Sequence, residues 1–249
     1  KGYTPAMTKS DSRARIWEID FLRGLAIILM VGYHLLYDLG DFVGIKKFLG
    51  FSTDLSSPAW LVAQNFFSGL FVVLSGISST FSRNNFRRFV KFAVVALLIT
   101  VVTYLFDPAS AIFFGIIHCL ALSVLIYALV FYKTRPTTRA IWGAVVLSGA
   151  FFMPALRRIL AVKTNWLIPF GLFSPSFASL DYFPLIPWFG IFLIGTALGK
   201  WLYAQPKSLL RRQLPDNFIN WCGRHSLLIY LIHQPVIIVI LYLLGYVSF

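Results

Sequence analysis

Arg23, His34 and Asp38 stand on one apolar stretch, IDFLRGLAIILMVGYHLLYDL. In a helix the step from Arg23 to His34 is close to three turns, so both side chains share a face about 16 Å apart along the axis. Asp38 follows His34 by one turn and continues that face. A carboxylate at the C-terminal end of a helix opposes the dipole and calls for a partner, and His34 is the nearest. A carboxylate holding one imidazole nitrogen leaves the other free to take a proton, the arrangement of a general base. Ionisable groups inside a bilayer cost about 2.5–3.5 kcal/mol each on insertion scales, which makes function the default reading. The plain alternative is a core histidine bonded to a carbonyl, with Asp38 merely interfacial.

The elements that must carry these residues are membrane helices. The chain has 249 residues, 58% hydrophobic and 12% charged, with 17% aromatics. Soluble domains carry about 25% charged residues. A span needs about 20 mostly apolar residues, and the backbone in lipid must pair internally. Barrel alternation is absent. Seven spans are expected, roughly 20–39, 59–82, 90–106, 111–132, 140–156, 182–203 and 224–247, the fifth short and ending at Pro154. The Pro- and Gly-broken stretch TNWLIPFGLFSPSFASLDYFP, within 157–184, reads as re-entrant or interfacial, and 207–221 as an amphipathic surface stretch. Residues 1–14 read as a disordered tail, part of it a tag remnant, and 15–249 as a single transmembrane domain. Cys119 and Cys222 give no disulfide scaffold.

Net charge is +13, but its distribution follows topology rather than nucleic acid. Of the 22 lysines and arginines, all but Lys46, Lys47, Arg157, Arg158 and Lys163 fall on one side of the expected spans. The positive-inside rule therefore places the N-terminus in the cytoplasm and the C-terminus outside, in a multi-pass protein of the cell membrane. Arg83, Arg87 and Arg88 close the second span on the cytoplasmic side. Topology alone explains them, and they also suit a phosphate-bearing donor, since arginine grips phosphate oxygens in pairs.

His118, in FFGIIHCLALS, has a depth that matches His34, so both can face one cavity or His118 can be a satisfied structural residue. His233 precedes Pro235, whose missing N–H frees a carbonyl one turn earlier; His233 or Gln234 then serves local backbone or a substrate. His225 reads as an interfacial anchor. Asn65 lies inside the second span among small residues that also permit close packing. No metal-ligand spacing, phosphate loop or hydrolase serine elbow occurs.

Three stretches, IDFLRGLAIILMVGYHLLYDL, LFVVLSGISSTFSR and GRHSLLIYLIHQPVI, resemble the superfamily of integral membrane acyltransferases. Arginine, ten residues, then histidine on the first helix is the signature of its acyltransferase type three branch. Together with FFGIIHCLALS and PLIPWFGIFLIGTALGK, the pattern is most similar to the bacterial branch of the heparan-α-glucosaminide N-acetyltransferase catalytic-domain family, over most of residues 15–245. The resemblance implies O- or N-acyl transfer from cytoplasmic acetyl-CoA to a sugar or glycan-like acceptor across or at the membrane; no metal is expected, since no metal-ligand spacing occurs. It matches Arg23 and His34 to donor binding and catalysis. Lysosomal members carry a histidine just before the second core helix; here no histidine lies between His34 and His118, and Asp54 is the nearest ionisable group.

The expected site is then His34, Asp38 and His118 as catalytic groups. Arg23, Arg83, Arg87 and Arg88 are expected to hold acetyl-CoA, and Asn65, Asp181 and His233 the acceptor. Membrane lipid is an expected partner, nucleic acid is not, and homo-oligomer formation stays open. The rival reading is a proton-coupled transporter using the same intramembrane His and Asp, although internal repeats and paired broken helices are not visible.

Overall fold

The computed structural model describes residues 16–109, 111–205, 207–210 and 217–247. The expected N-terminal tail, Arg211 and Arg212 lie outside the described residues. Among the described residues eight α-helices carry the fold: α1 (Trp17–Asp41), α2 (Pro58–Phe81), α3 (Asn85–Phe106), α4 (Ile116–Ile126), α5 (Pro136–Leu160), α6 (Leu185–Leu202), α7 (Phe218–Arg224) and α8 (Ser226–Leu243). A two-stranded hairpin, β1 (Lys47–Phe48) and β2 (Phe51–Ser52), joins α1 to α2. Among the described residues, α1, α2, α3, α5, α6 and α8 are long and apolar enough to cross a membrane, which makes this a multi-pass helical protein. The expected fourth span is shorter, running through α4 and a π-helical turn, Tyr127–Phe131.

α6 is the hub. It packs against α5 on one side and α2 on the other, while α3 pairs with α4 and α1 pairs with α7, α2 and α8. Small residues make these approaches close enough. A Cβ on Gly195 would collide with the Val73 carbonyl, and one on Gly190 would press on the backbone of Gly143 and Leu147. With no hydrophobic drive between helices in lipid, such close packing is a main source of cohesion. The core gathers Val72, Leu120, Val124, Tyr127, Phe192 and Leu193 between α2, α4 with its π-helical turn, and α6.

One expectation is corrected. The fifth span does not end at Pro154: α5 continues to Leu160 with Pro154 inside it. A proline removes one internal hydrogen bond, but at the exposed end of a long helix that loss leaves the rest of the ladder intact. The segment after it, read as re-entrant or interfacial, is held by specific contacts. Arg157 Nε donates to Gly171 O at 2.6 Å and the guanidinium stacks 4.2 Å from the Phe173 ring centre. Tyr182 Oη donates to Ile168 O at 2.8 Å, and Phe183 N to Phe114 O at 2.9 Å, so the segment is tied down onto the start of α4.

Candidate active site

Two polar clusters lie on α1, one near each end. At the N-terminal end, Arg23 donates to Asp20 Oδ1 at 3.0 Å and to Ser78 Oγ at 2.7 Å. Arg88 comes from α3 to the same turn of α2: it reaches Ser79 Oγ at 3.2 Å, Ser75 Oγ at 2.9 Å and Ser75 O at 3.3 Å. Ser75, Ser78 and Ser79 fall on one face because of their helical spacing. The two guanidiniums thus share one serine-lined turn; Asp20 pairs with Arg23, and the Arg88 hydrogen-bond partners Ser75 and Ser79 are uncharged. Such a site has spare positive charge and donors for an anion. Arg88 also borders a cleft of about 570 Å³ lined by Asn84, Arg87, Val90 and Lys91. Arg87 faces this cleft with Arg88, whereas Arg83 is exposed before α3 begins and is not part of its lining. Lys91 was not among the expected donor residues; its spacing from Arg87 and Arg88, one helical turn, is the signal that places it there.

At the other end, α8 returns alongside α1. The His34 and His233 ring centres are 4.9 Å apart, and Tyr33 packs edge-on to His34 at 5.8 Å. Asp38, 0% exposed, does not hold His34. Both its oxygens accept from Gln234 Nε2 at 2.9 Å. The carboxylate at the end of α1 does find a partner, but on α8 rather than one turn back. A sequence pair on one helix, His34 and Asp38, meets a sequence pair on another, His233 and Gln234. His233 serves local backbone as one alternative foresaw, its Nδ1 lying 2.6 Å from Tyr230 O. Its carbonyl partner is Tyr230 rather than the proline-freed Leu231.

The structure does not bring the other expected residues to this pair directly. His118 stands at the N-terminus of α4 with both ring nitrogens engaged: Nδ1 accepts from Gly115 N at 3.2 Å and Nε2 lies 2.9 Å from Thr100 Oγ1. The Thr100 hydroxyl gives its one proton to Ile112 O at 2.7 Å, so it must accept from His118 Nε2–H. Asn65 lies on the exposed face of α2 and donates back to Leu61 O at 2.8 Å. Asp181 Oδ2 accepts from Ile116 N at 3.1 Å, at the start of α4, and from Tyr230 Oη at 2.9 Å. It therefore supports the same Tyr230 whose carbonyl holds His233. Burial pushes the Asp181 carboxyl above the usual carboxylate range.

With this geometry in view, the family model described as heparan-alpha-glucosaminide N-acetyltransferase, catalytic, matches residues 15–235. That range takes in Arg23, the α2–α3 arginines, His34 and the His233–Gln234 pair. No curated protein matches the chain, and no solved structure does.

Proposed function

The chain belongs to the heparan-alpha-glucosaminide N-acetyltransferase catalytic family, and from that premise we propose that it moves an acetyl group from cytoplasmic acetyl-CoA to the amine or hydroxyl of a sugar-like acceptor. The carrying observation is the pairing of Arg23 with Arg88 on one turn of α2, with His34 further along the same α1. Arg23, Arg87, Arg88 and Lys91 hold the phosphates of the donor, and Arg83 adds to the field at its entrance. The pantetheine arm then runs along α1 for the roughly 16 Å that separate Arg23 from His34. His34 takes the acceptor proton as the acceptor atom bonds to the acetyl carbon, and returns it to the departing thiolate. General-base help of this kind is worth about 10²–10⁴-fold. Holding both substrates in line supplies more, up to about 7–11 kcal/mol. His118 belongs to the framework of α4 in this reading, and Asp38 locks α1 to α8.

The test is transfer of label from acetyl-CoA to glucosamine by purified protein. His34→Ala is expected to lower kcat by about 10²-fold or more while acetyl-CoA still raises the unfolding temperature. Arg88→Ala is expected to raise KM for acetyl-CoA with a smaller effect on kcat. Undiminished transfer by His34→Ala overturns the role of His34. Solute flux into proteoliposomes that needs no CoA replaces the enzyme with the carrier.

A further inference from the structure

Asp38 is the expected orienting partner of His34, yet its oxygens are taken by Gln234. The ring beside His34 is that of His233, which is 8% exposed. Its Nδ1 lies 2.6 Å from Tyr230 O. A carbonyl only accepts, so Nδ1 carries the proton and neutral His233 presents a lone pair at Nε2. That Nε2 is buried and has no hydrogen-bond partner among the described residues. The Tyr230 ring is also near, at 5.7 Å, but its hydroxyl already donates to Asp181. Buried acceptors without donors are rare in folded proteins and call for an explanation. Here the orphan lone pair sits against an imidazole, a ring that always carries at least one N–H.

We propose that His233 is the positioning residue for His34. The two ring centres stand 4.9 Å apart without a hydrogen bond between the rings; a turn of the His34 ring lets His233 Nε2 accept its N–H, which fixes the His34 tautomer and leaves the other His34 nitrogen bare toward the acceptor. The inference rests on the acetyl transfer proposed above. As the acceptor atom bonds to the acetyl carbon, its proton passes to the bare nitrogen of His34. The carbon–sulfur bond then breaks, and the thiolate of CoA takes that proton back. His233 gains and loses no proton. It keeps Nδ1–H on the Tyr230 carbonyl and stabilises the imidazolium that His34 becomes, the task a carboxylate performs in a serine-protease triad. A neutral partner stabilises that cation less than a carboxylate but needs no buried charge of its own.

The experiment compares His233→Phe, which keeps the ring volume and removes Nε2, with His233→Gln, which returns an acceptor near the same position. Labelled acetyl-CoA and glucosamine are the substrates. His233→Phe is expected to lose about 10²-fold in kcat at unchanged KM for acetyl-CoA, less than the roughly 10⁴-fold of a misoriented triad histidine. His233→Gln is expected to recover at least about tenfold of that. In a His34→Ala background, His233→Phe should add nothing, because groups acting as one unit are not additive. Full kcat in His233→Phe, multiplying losses in the double variant, or a loss confined to KM for glucosamine would each overturn the proposal. If His233→Phe does not fold, the comparison is His233→Gln against His233→Asn, whose shorter amide cannot reach the Nε2 position; equal kcat overturns it. A wild-type protein that transfers no acetyl group to glucosamine instead overturns the acetyl-transfer reading on which all of this stands.

Discussion

His118 and Asp181 look alike in sequence, single polar residues at outer ends of apolar segments, but their surroundings assign them to the framework. Both His118 nitrogens are satisfied by Gly115 and Thr100. His118→Ala should therefore lower stability by about 1–3 kcal/mol, the range for leaving buried donors and acceptors unpaired. The folded fraction should keep kcat within about threefold of wild type, well short of a general-base loss. Thermal unfolding and labelled transfer on one preparation check both halves. Asp181 gives a pH test. Burial raises its carboxyl, so the fold favours the protonated form. Its contribution is greatest at low pH and declines as pH rises from the ordinary carboxylate range through the raised value. Asp181→Asn still offers an oxygen to Ile116 N–H and Tyr230 O–H, and its unfolding temperature should lack that decline. Asp181→Ala leaves both donors unpaired and should be less stable at every pH, by about 1–3 kcal/mol. What was legible at this scale was local: the Arg23–His34 spacing needs only helix geometry. The meeting of Asp38 with Gln234 joins residues 196 apart and depends on α8 returning beside α1, which no local pattern states. Gly115, three residues before His118, was the readable sign that this histidine caps its own helix.

At the scale of elements, long apolar runs fixed the existence of the helices, because the backbone in lipid has few other options. Their seams were less visible. The tightest joins α1 to α7: a Cβ on Gly24 would strike the Ile219 carbonyl, and one on Gly223 the Asp20 carbonyl. Both obstacles are backbone, so neither can swing aside. Gly24→Ala and Gly223→Ala should each destabilise by about 1–3 kcal/mol through overpacking. The two should combine less than additively, since either one already parts the same seam. Gly32 on α1 and Gly69 on α2 are the controls, with open space where a Cβ would stand. Alanine there should unfold at or slightly above the wild-type temperature, gaining up to about 1 kcal/mol in helix propensity. Unfolding temperatures in one detergent decide the matter. A uniform drop across all four variants would mean that glycine flexibility, not close approach, is what these helices require. The sequence held GLAII and WCGRH in plain view, but only the crossing of α7 over α1 shows why these glycines differ from Gly32. The turn after α4 is similar: Arg139, 3% exposed, donates to Phe131 O, Tyr132 O and Thr134 O, and so closes the α4–α5 connection. The charge pattern alone read this arginine as topology.

At the scale of the whole molecule, α1 and α8 run in the same direction, from the Gly24–Gly223 seam at one end to the Asp38–Gln234 contact at the other. Arg23 and Arg88 lie at the first end and the histidine pair toward the second. This polarity gives the proposed chemistry a sidedness. The proposed donor, acetyl-CoA, is a cytoplasmic metabolite, so the proposal puts the α2–α3 arginines on the cytoplasmic side and the β1–β2 hairpin on the outer side. The basic bias of the α2–α3 and α4–α5 connections agrees with that orientation. Cysteine labelling tests it directly, starting from a variant in which the buried Cys119 and Cys222 are replaced. Ser56→Cys stands on the exposed hairpin side, and Lys133→Cys on the exposed α4–α5 turn. In intact cells a membrane-impermeant maleimide should label Ser56→Cys and leave Lys133→Cys untouched until the membrane is permeabilised. The reverse pattern would put Arg23, Arg87, Arg88 and Lys91 on a face that acetyl-CoA does not reach. Labelling of both positions in intact cells would mean that the chain from α2 through α4 crosses an even number of times, and that α4 with its π-helical turn does not span.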